Sequence, residues 1–100
     1  MQMTKDVQGM QSLNDARAEI NDVDRSIIKL LAKRFELAHQ INQIKEANSL
    51  PILDSSREKQ VLDRVGKYDD DPDTREFMKD IYKEIMKNSR KYQDMLRKND

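Results

Sequence analysis

Arg17, Arg34 and Lys45 interrupt a stripe that is otherwise apolar, and cations set into such a face need an anion to meet them. Steps of three and four residues connect Leu13, Ala16, Ile20, Val23, Ile27, Leu30 or Leu31, Ala38, Ile41 and Ile44. Arg17 falls between Leu13 and Ile20, Arg34 between Leu30 or Leu31 and Ala38, and Lys45 four residues after Ile41. Arg34 and Lys45 are eleven residues apart, close to three whole helical turns, so they project in nearly the same direction. For any one of them the ordinary reading is a long side chain reaching water from the edge of a buried stripe. Three on one face weaken that reading.

Two more stretches repeat the pattern. In LPILDSSRE, residues 50–58, Arg57 and Glu58 fall on the side of a helix that also carries Val61, Leu62 and Val65. A capping box of Ser55 and Glu58 would account for the glutamate without any ligand. Farther on, Ser89 and Gln93 stand one turn apart on a stripe of Met78, Ile81, Ile85 and Leu96, where a frayed final turn is the simpler account. Together the three stretches place guanidiniums, an ammonium, a carboxylate, an amide and a hydroxyl beside apolar faces. None of these forms a nucleophile–base pair. His39 is the single histidine and cysteine is absent, so no metal site is expected. The DDDPD run lacks the loop spacing and terminal glutamate of an EF-hand and reads as linker and capping. The set suits a small dianion that also carries a neutral polar group. It limits the chemistry to what positioning and electrostatics accelerate, with no cofactor.

The elements that must hold these groups are marked by the breakers. Gly9, Pro51, Gly66 and Pro72 are the only glycines and prolines. A first helix is predicted from Ser12 or Asn14 to near Pro51, with Leu50 already extended before the proline. A second starts at Asp54 or Ser55 and runs to about Gly66; a third is capped by Asp71 or Asp73, with Pro72 in its first turn. The class is all-α, with three helices in the order long, short, long. With 19 basic and 19 acidic side chains the net charge is zero, so no nucleic-acid partner is expected. No apolar run reaches membrane-spanning length and the start lacks a signal-peptide core, so a cytoplasmic protein with no membrane partner is expected.

Length adds a constraint. A helix from Ser12 to Asn48 would extend roughly 55 Å, whereas a compact globule of this size is about 35 Å across. With no Pro or Gly to kink it, the simpler solution is a second copy, an intertwined homodimer with the long helices packed along each other.

The segments LNDARAEINDVDRSIIKLLAKRFELAHQINQIK, PILDSSREKQVLDRV and IYKEIMKNSRKYQ, with their spacing, closely resemble the all-helical (AroQ-class) chorismate mutases from about Leu13 to Gln93. The resemblance implies a mutase domain over residues 11–100, preceded by a flexible segment, residues 1–10, that matches no motif. It implies conversion of chorismate to prephenate, toward phenylalanine and tyrosine. Arg17 would bind a substrate carboxylate from the opposite protomer, and Arg34 one from its own. Lys45 would contact a carboxylate and the ether oxygen whose bond breaks, and Gln93 would donate to the same oxygen. Asp54 and Glu58 would hold the ring hydroxyl, with Asp54 able to act through its backbone. Arg57 would line the pocket, and Ser89 would assist a carboxylate.

Elsewhere in that family a glutamate replaces Gln93 and must be protonated to donate; an amide donates at any pH, so no acid-shifted optimum is expected. The spacing agrees with a split site. Arg17 and Lys45 are 28 residues apart, roughly 42 Å along a straight helix, so only an antiparallel partner brings them to one small ligand. The alternatives are an isochorismate–pyruvate lyase on the same scaffold and a non-catalytic helical dimerisation module. The complete DSSRE segment favours the mutase, and a stand-alone enzyme is expected over a domain of a fused one.

Overall fold

The structure, a computed structural model, describes residues 5–99, with side chains from Val7 onward. It contains three helices, α1 (Lys5–Ala47), α2 (Ser55–Tyr68) and α3 (Arg75–Lys98), and no strand among the described residues. This is the all-α, long–short–long order that the periodicity predicts. The chain divides into two units, Met1–Arg34 and Phe35–Asp100.

In the first unit α1 begins at Lys5, not at Ser12 or Asn14. Gly9 costs only about 1 kcal/mol relative to alanine inside a helix, too little to stop one among better formers. Of the leader expected to be flexible, residues 5–10 are therefore helical, and residues 1–4 lie outside the described residues. Every side chain from Val7 to Leu30 is exposed, and these include Leu13, Ile20, Val23, Ile27, Ile28 and Leu30. The apolar period that makes the helix amphipathic thus presents its stripe uncovered.

In the second unit α2 and α3 pack antiparallel. Glu58, near the start of α2, meets Arg90 in the second half of α3. At the other end Val65 and Tyr68 share a pocket with Met78 and Tyr82. The last turns of α1 run parallel to α3: the rings of Phe35 and Tyr92 lie 5.4 Å apart, and Ala38 and Asn42 face Gln93 and Arg97. The inward positions are Phe35, Ala38, Asn42 and Lys45, while Ile41 and Ile44 stay exposed. The apolar residues of this helix therefore form more than one stripe, and the expected stripe through Ile41 is not the one that meets α3.

The ends of the helices depart from the sequence reading in instructive ways. Pro51 does not stop α1. The helix closes earlier in a Schellman turn: Leu50 N–H bonds the Lys45 carbonyl at 2.7 Å, and Ser49 N–H bonds that of Glu46 at 3.1 Å. Ser49 takes the left-handed position this turn requires, with φ 57°. On α2 the cap is Asp54, whose carboxylate accepts from Arg57 N–H at 3.0 Å. This single side-chain cap replaces the expected Ser55–Glu58 capping box, and the Glu58 carboxylate goes to Arg90 instead. Gly66 does not end α2, which continues to Tyr68.

Ahead of α3 neither expected cap is used: the helix starts at Arg75 with Thr74 as its N-cap, and Pro72 lies before its first turn. Asp71 instead closes the preceding turn by accepting from Asp73 N–H at 2.9 Å. The Thr74 hydroxyl and Asp71 N–H both donate to Asp69 and hold its pKa below the ordinary aspartate value, with Arg75 adding to the effect.

A left-handed backbone costs an L-residue with a Cβ roughly 1–2 kcal/mol, offset in part by the extra unfolded-state freedom of glycine. Ser49→Gly is therefore expected to stabilise the fold by about 0.5–1 kcal/mol. Urea unfolding at fixed protein concentration reads this as a higher midpoint at unchanged slope. A lower midpoint would show that the serine side chain contributes more than its strain.

Candidate functional site

Lys45 occupies a structural position before it occupies a chemical one. Its carbonyl closes the Schellman turn, and its Nζ donates to the Ile52 carbonyl at 2.8 Å. Arg97 reaches the same loop from α3: Nη2 donates to the Leu50 carbonyl at 3.0 Å, and Nε donates to Asn42 Oδ1 at 2.8 Å. Residues 50–52 are thus tied to both long helices before the chain enters α2 at Asp54. An ammonium has three N–H donors, and one holds the loop, so two remain for a ligand beside this half-buried position.

Gln93 is buried, at 6% exposure, and its Nε2 donates to the Ala38 carbonyl at 2.9 Å. The frayed final turn is therefore excluded, since α3 continues to Lys98 and one of its best-buried side chains is this amide. One N–H anchors the group and the second remains to be given. One turn earlier Ser89 is half-buried, and its Oγ donates to the Ile85 carbonyl at 3.1 Å.

The pair Arg57 and Glu58 separates. Arg57 contributes its backbone N–H to the Asp54 cap and its side chain is exposed. Glu58 turns inward and is half-buried, with both carboxylate oxygens 2.5 Å from Nη1 of Arg90. Asp54 accepts the Arg57 N–H through one carboxylate oxygen and is exposed. Lys45, Asp54, Arg57, Glu58, Ser89 and Gln93 all belong to the second unit. Arg17 and Arg34 lie on α1 in the first, Arg17 exposed and Arg34 half-buried.

Three participants escaped the sequence reading: Arg90, Asn42 and Arg97. Each was within reach of the spacing. Position 42 follows Ala38 by four, position 90 precedes Gln93 by three, and position 97 follows it by four. Their polarity hid them, because a stripe traced through apolar residues passes over the polar ones beside it.

The second unit thus offers an ammonium and an amide with spare donors, a hydroxyl, and a carboxylate neutralised by a guanidinium. Such a set has the charge and donors to meet a small anion, and these groups form no nucleophile–base pair. Comparison with known proteins points the same way. The family described as chorismate mutase type II matches residues 16–94. The chorismate mutase of Methanocaldococcus jannaschii is 38% identical over 58 residues, 58% of this chain and 59% of that protein. A bifunctional chorismate mutase/prephenate dehydratase of Buchnera aphidicola is 44% identical over 59 residues, 56% of this chain and 15% of that one. A solved structure of chorismate mutase (form II) from Thermus thermophilus superposes with TM-score 0.79 at 28% identity, covering 83% of this chain and 94% of that one.

The chain belongs to the chorismate mutase type II family. Its matched stretch spans less than two thirds of these curated relatives.

Asn42 is only 2% exposed and Arg97 is the donor to its side-chain oxygen. A buried acceptor stripped of its donor costs about 1–3 kcal/mol, so Arg97→Ala is expected to lower unfolding stability by that amount. Stability unchanged in thermal and urea unfolding would mean that the Asn42 amide is satisfied without Arg97.

Proposed function

We propose that this chain is a chorismate mutase, converting chorismate to prephenate by an intramolecular rearrangement in which a C–O bond breaks as a C–C bond forms. The observation that carries the reading is that Lys45 and Gln93 are anchored in the same way. A half-buried ammonium and a buried amide are each fixed to backbone by one hydrogen bond, and each keeps a donor to give. Both are residue types that the family resemblance assigns to the ether oxygen.

Catalysis then has two parts. Arg34, with Arg17 supplied by a second copy, holds the two carboxylates so that the enolpyruvyl arm lies over the ring in the reactive conformer. Lys45 and Gln93 meet the negative charge that grows on the ether oxygen, an interaction stronger in the transition state than in the ground state. Glu58 accepts the ring hydroxyl, Ser89 assists a carboxylate, and the Asp54 backbone and Arg57 border the pocket. The exposed stripe of α1 supports the second copy. Side chains such as Ile20, Val23 and Ile27 are about half exposed in the single chain, and burying one fully is worth about 1.5–3 kcal/mol.

Loss of chorismate absorbance with identification of the product tests the reaction. Prephenate at many turnovers per site is the expected result. Pyruvate release from isochorismate, with chorismate untouched, would overturn it. Lys45→Ala is expected to lower kcat by on the order of 10²–10³. Its cost to stability is expected to be only about 1–2 kcal/mol, from the lost bond to Ile52. Near-wild-type turnover would remove Lys45 from the mechanism.

A further inference from the structure

Arg90 is bonded to a residue of the candidate site and has no role in the mechanism proposed above. Its guanidinium crosses from α3 to α2, where Nη1 meets both oxygens of Glu58. Both side chains are largely withdrawn from water, at 34% and 26% exposure. An ion pair this sheltered is less screened than a surface one. Arg90 also follows Ser89 directly and precedes Gln93 by three residues, so it holds Glu58 beside the turn of α3 that carries both polar groups.

The proposed reaction sets Glu58 two opposing demands. A carboxylate is a strong acceptor for a ring hydroxyl, but it also repels the two carboxylates of the same ligand. An ionised carboxylate has about four lone-pair sites, and Arg90 takes two of them, so acceptor capacity remains while the charge is cancelled. We propose that Arg90 is a positioning residue that neutralises and aims Glu58, allowing the pocket to read a hydroxyl on a dianionic substrate. The inference rests on the mutase reading above. It concerns a residue that acts through another and does not itself touch the reacting atoms.

The test is a double-mutant cycle in steady-state kinetics on chorismate, using Arg90→Leu, Glu58→Gln and the double variant, with Arg90→Lys as the conservative replacement. Arg90→Leu is expected to raise KM on the order of tenfold or more, with a smaller effect on kcat. In the Glu58→Gln background, where no carboxylate needs neutralising, the same change is expected to alter KM by less than about threefold. Arg90→Lys restores the charge and is expected to recover most of the loss. An equal penalty in both backgrounds would overturn the proposal, because an Arg90 that contacts substrate directly, or acts independently of the Glu58 charge, gives that result. A loss of thermal stability with KM unchanged would also overturn it, because a merely structural bridge gives that one. So would an Arg90→Lys variant as impaired as Arg90→Leu. Circular dichroism checks folding, and Arg90→Gln replaces the leucine variant if that one does not fold. Wild-type protein is run in the same series. If it fails to turn over chorismate, the mutase reading and this inference both fall, whereas an active wild type without coupling overturns this inference alone.

Discussion

Ala38, Val65 and Met86 are the only fully buried apolar side chains among the described residues, and a core so small cannot by itself fix how three helices meet. Polar bonds therefore set the register. Gln93 reaches the Ala38 carbonyl, and one turn farther along the same parallel pair Arg97 reaches Asn42. Geometry of this kind is specific, because slipping α3 by one residue against α1 would strand Asn42 and the Gln93 amide at 2% and 6% exposure without partners. Among the described residues no buried side-chain polar atom lacks a hydrogen bond, so the seam is complete as it stands.

In the proposed mechanism the same bonds that hold the helices also prepare the chemistry. Lys45 and Gln93 are each fixed to backbone through one N–H and keep others for a ligand, which is how preorganised donors avoid reorganisation when charge develops. The loop from Leu50 to Ile52 is tied down by Lys45 and Arg97 before it delivers Asp54 and Glu58 to the start of α2. Fold and site therefore share residues, and a substitution at Arg97 reaches the site through the loop it holds.

Much of this was legible in the sequence because helical periodicity is set by local geometry. The three helices, and the inward placement of Glu58 and Gln93, follow from apolar spacing with polar residues set into it, whereas Lys45 turns inward beside Ala38 and Asn42 and not on the stripe traced through Ile41. What was not legible depends on finer competition. Asp54 outcompetes Ser55 for the α2 cap because its carboxylate reaches the Arg57 N–H. The end of α1 is decided by a serine accepting a left-handed backbone, which composition does not announce. Asn42, Arg90 and Arg97 were hidden because a polar residue on an inner face is recognisable only once its partner is known. The reach of α1 back to Lys5 shows how weakly a single glycine interrupts a long helix.

The proposed account joins two features, an apolar stripe left exposed on α1 and a site whose cations are spread along that helix farther than one ligand extends. A second, antiparallel copy resolves both, and mixed dimers test it directly. Arg17→Ala and Lys45→Ala chains, each purified alone, are predicted to have almost no chorismate turnover. Unfolded and refolded together, they should recover about a quarter of the wild-type activity per protomer, since half of the dimers are mixed and one of the two sites in each has both residues intact. No recovery on mixing, or full activity of either variant alone, would contradict a site built from two chains.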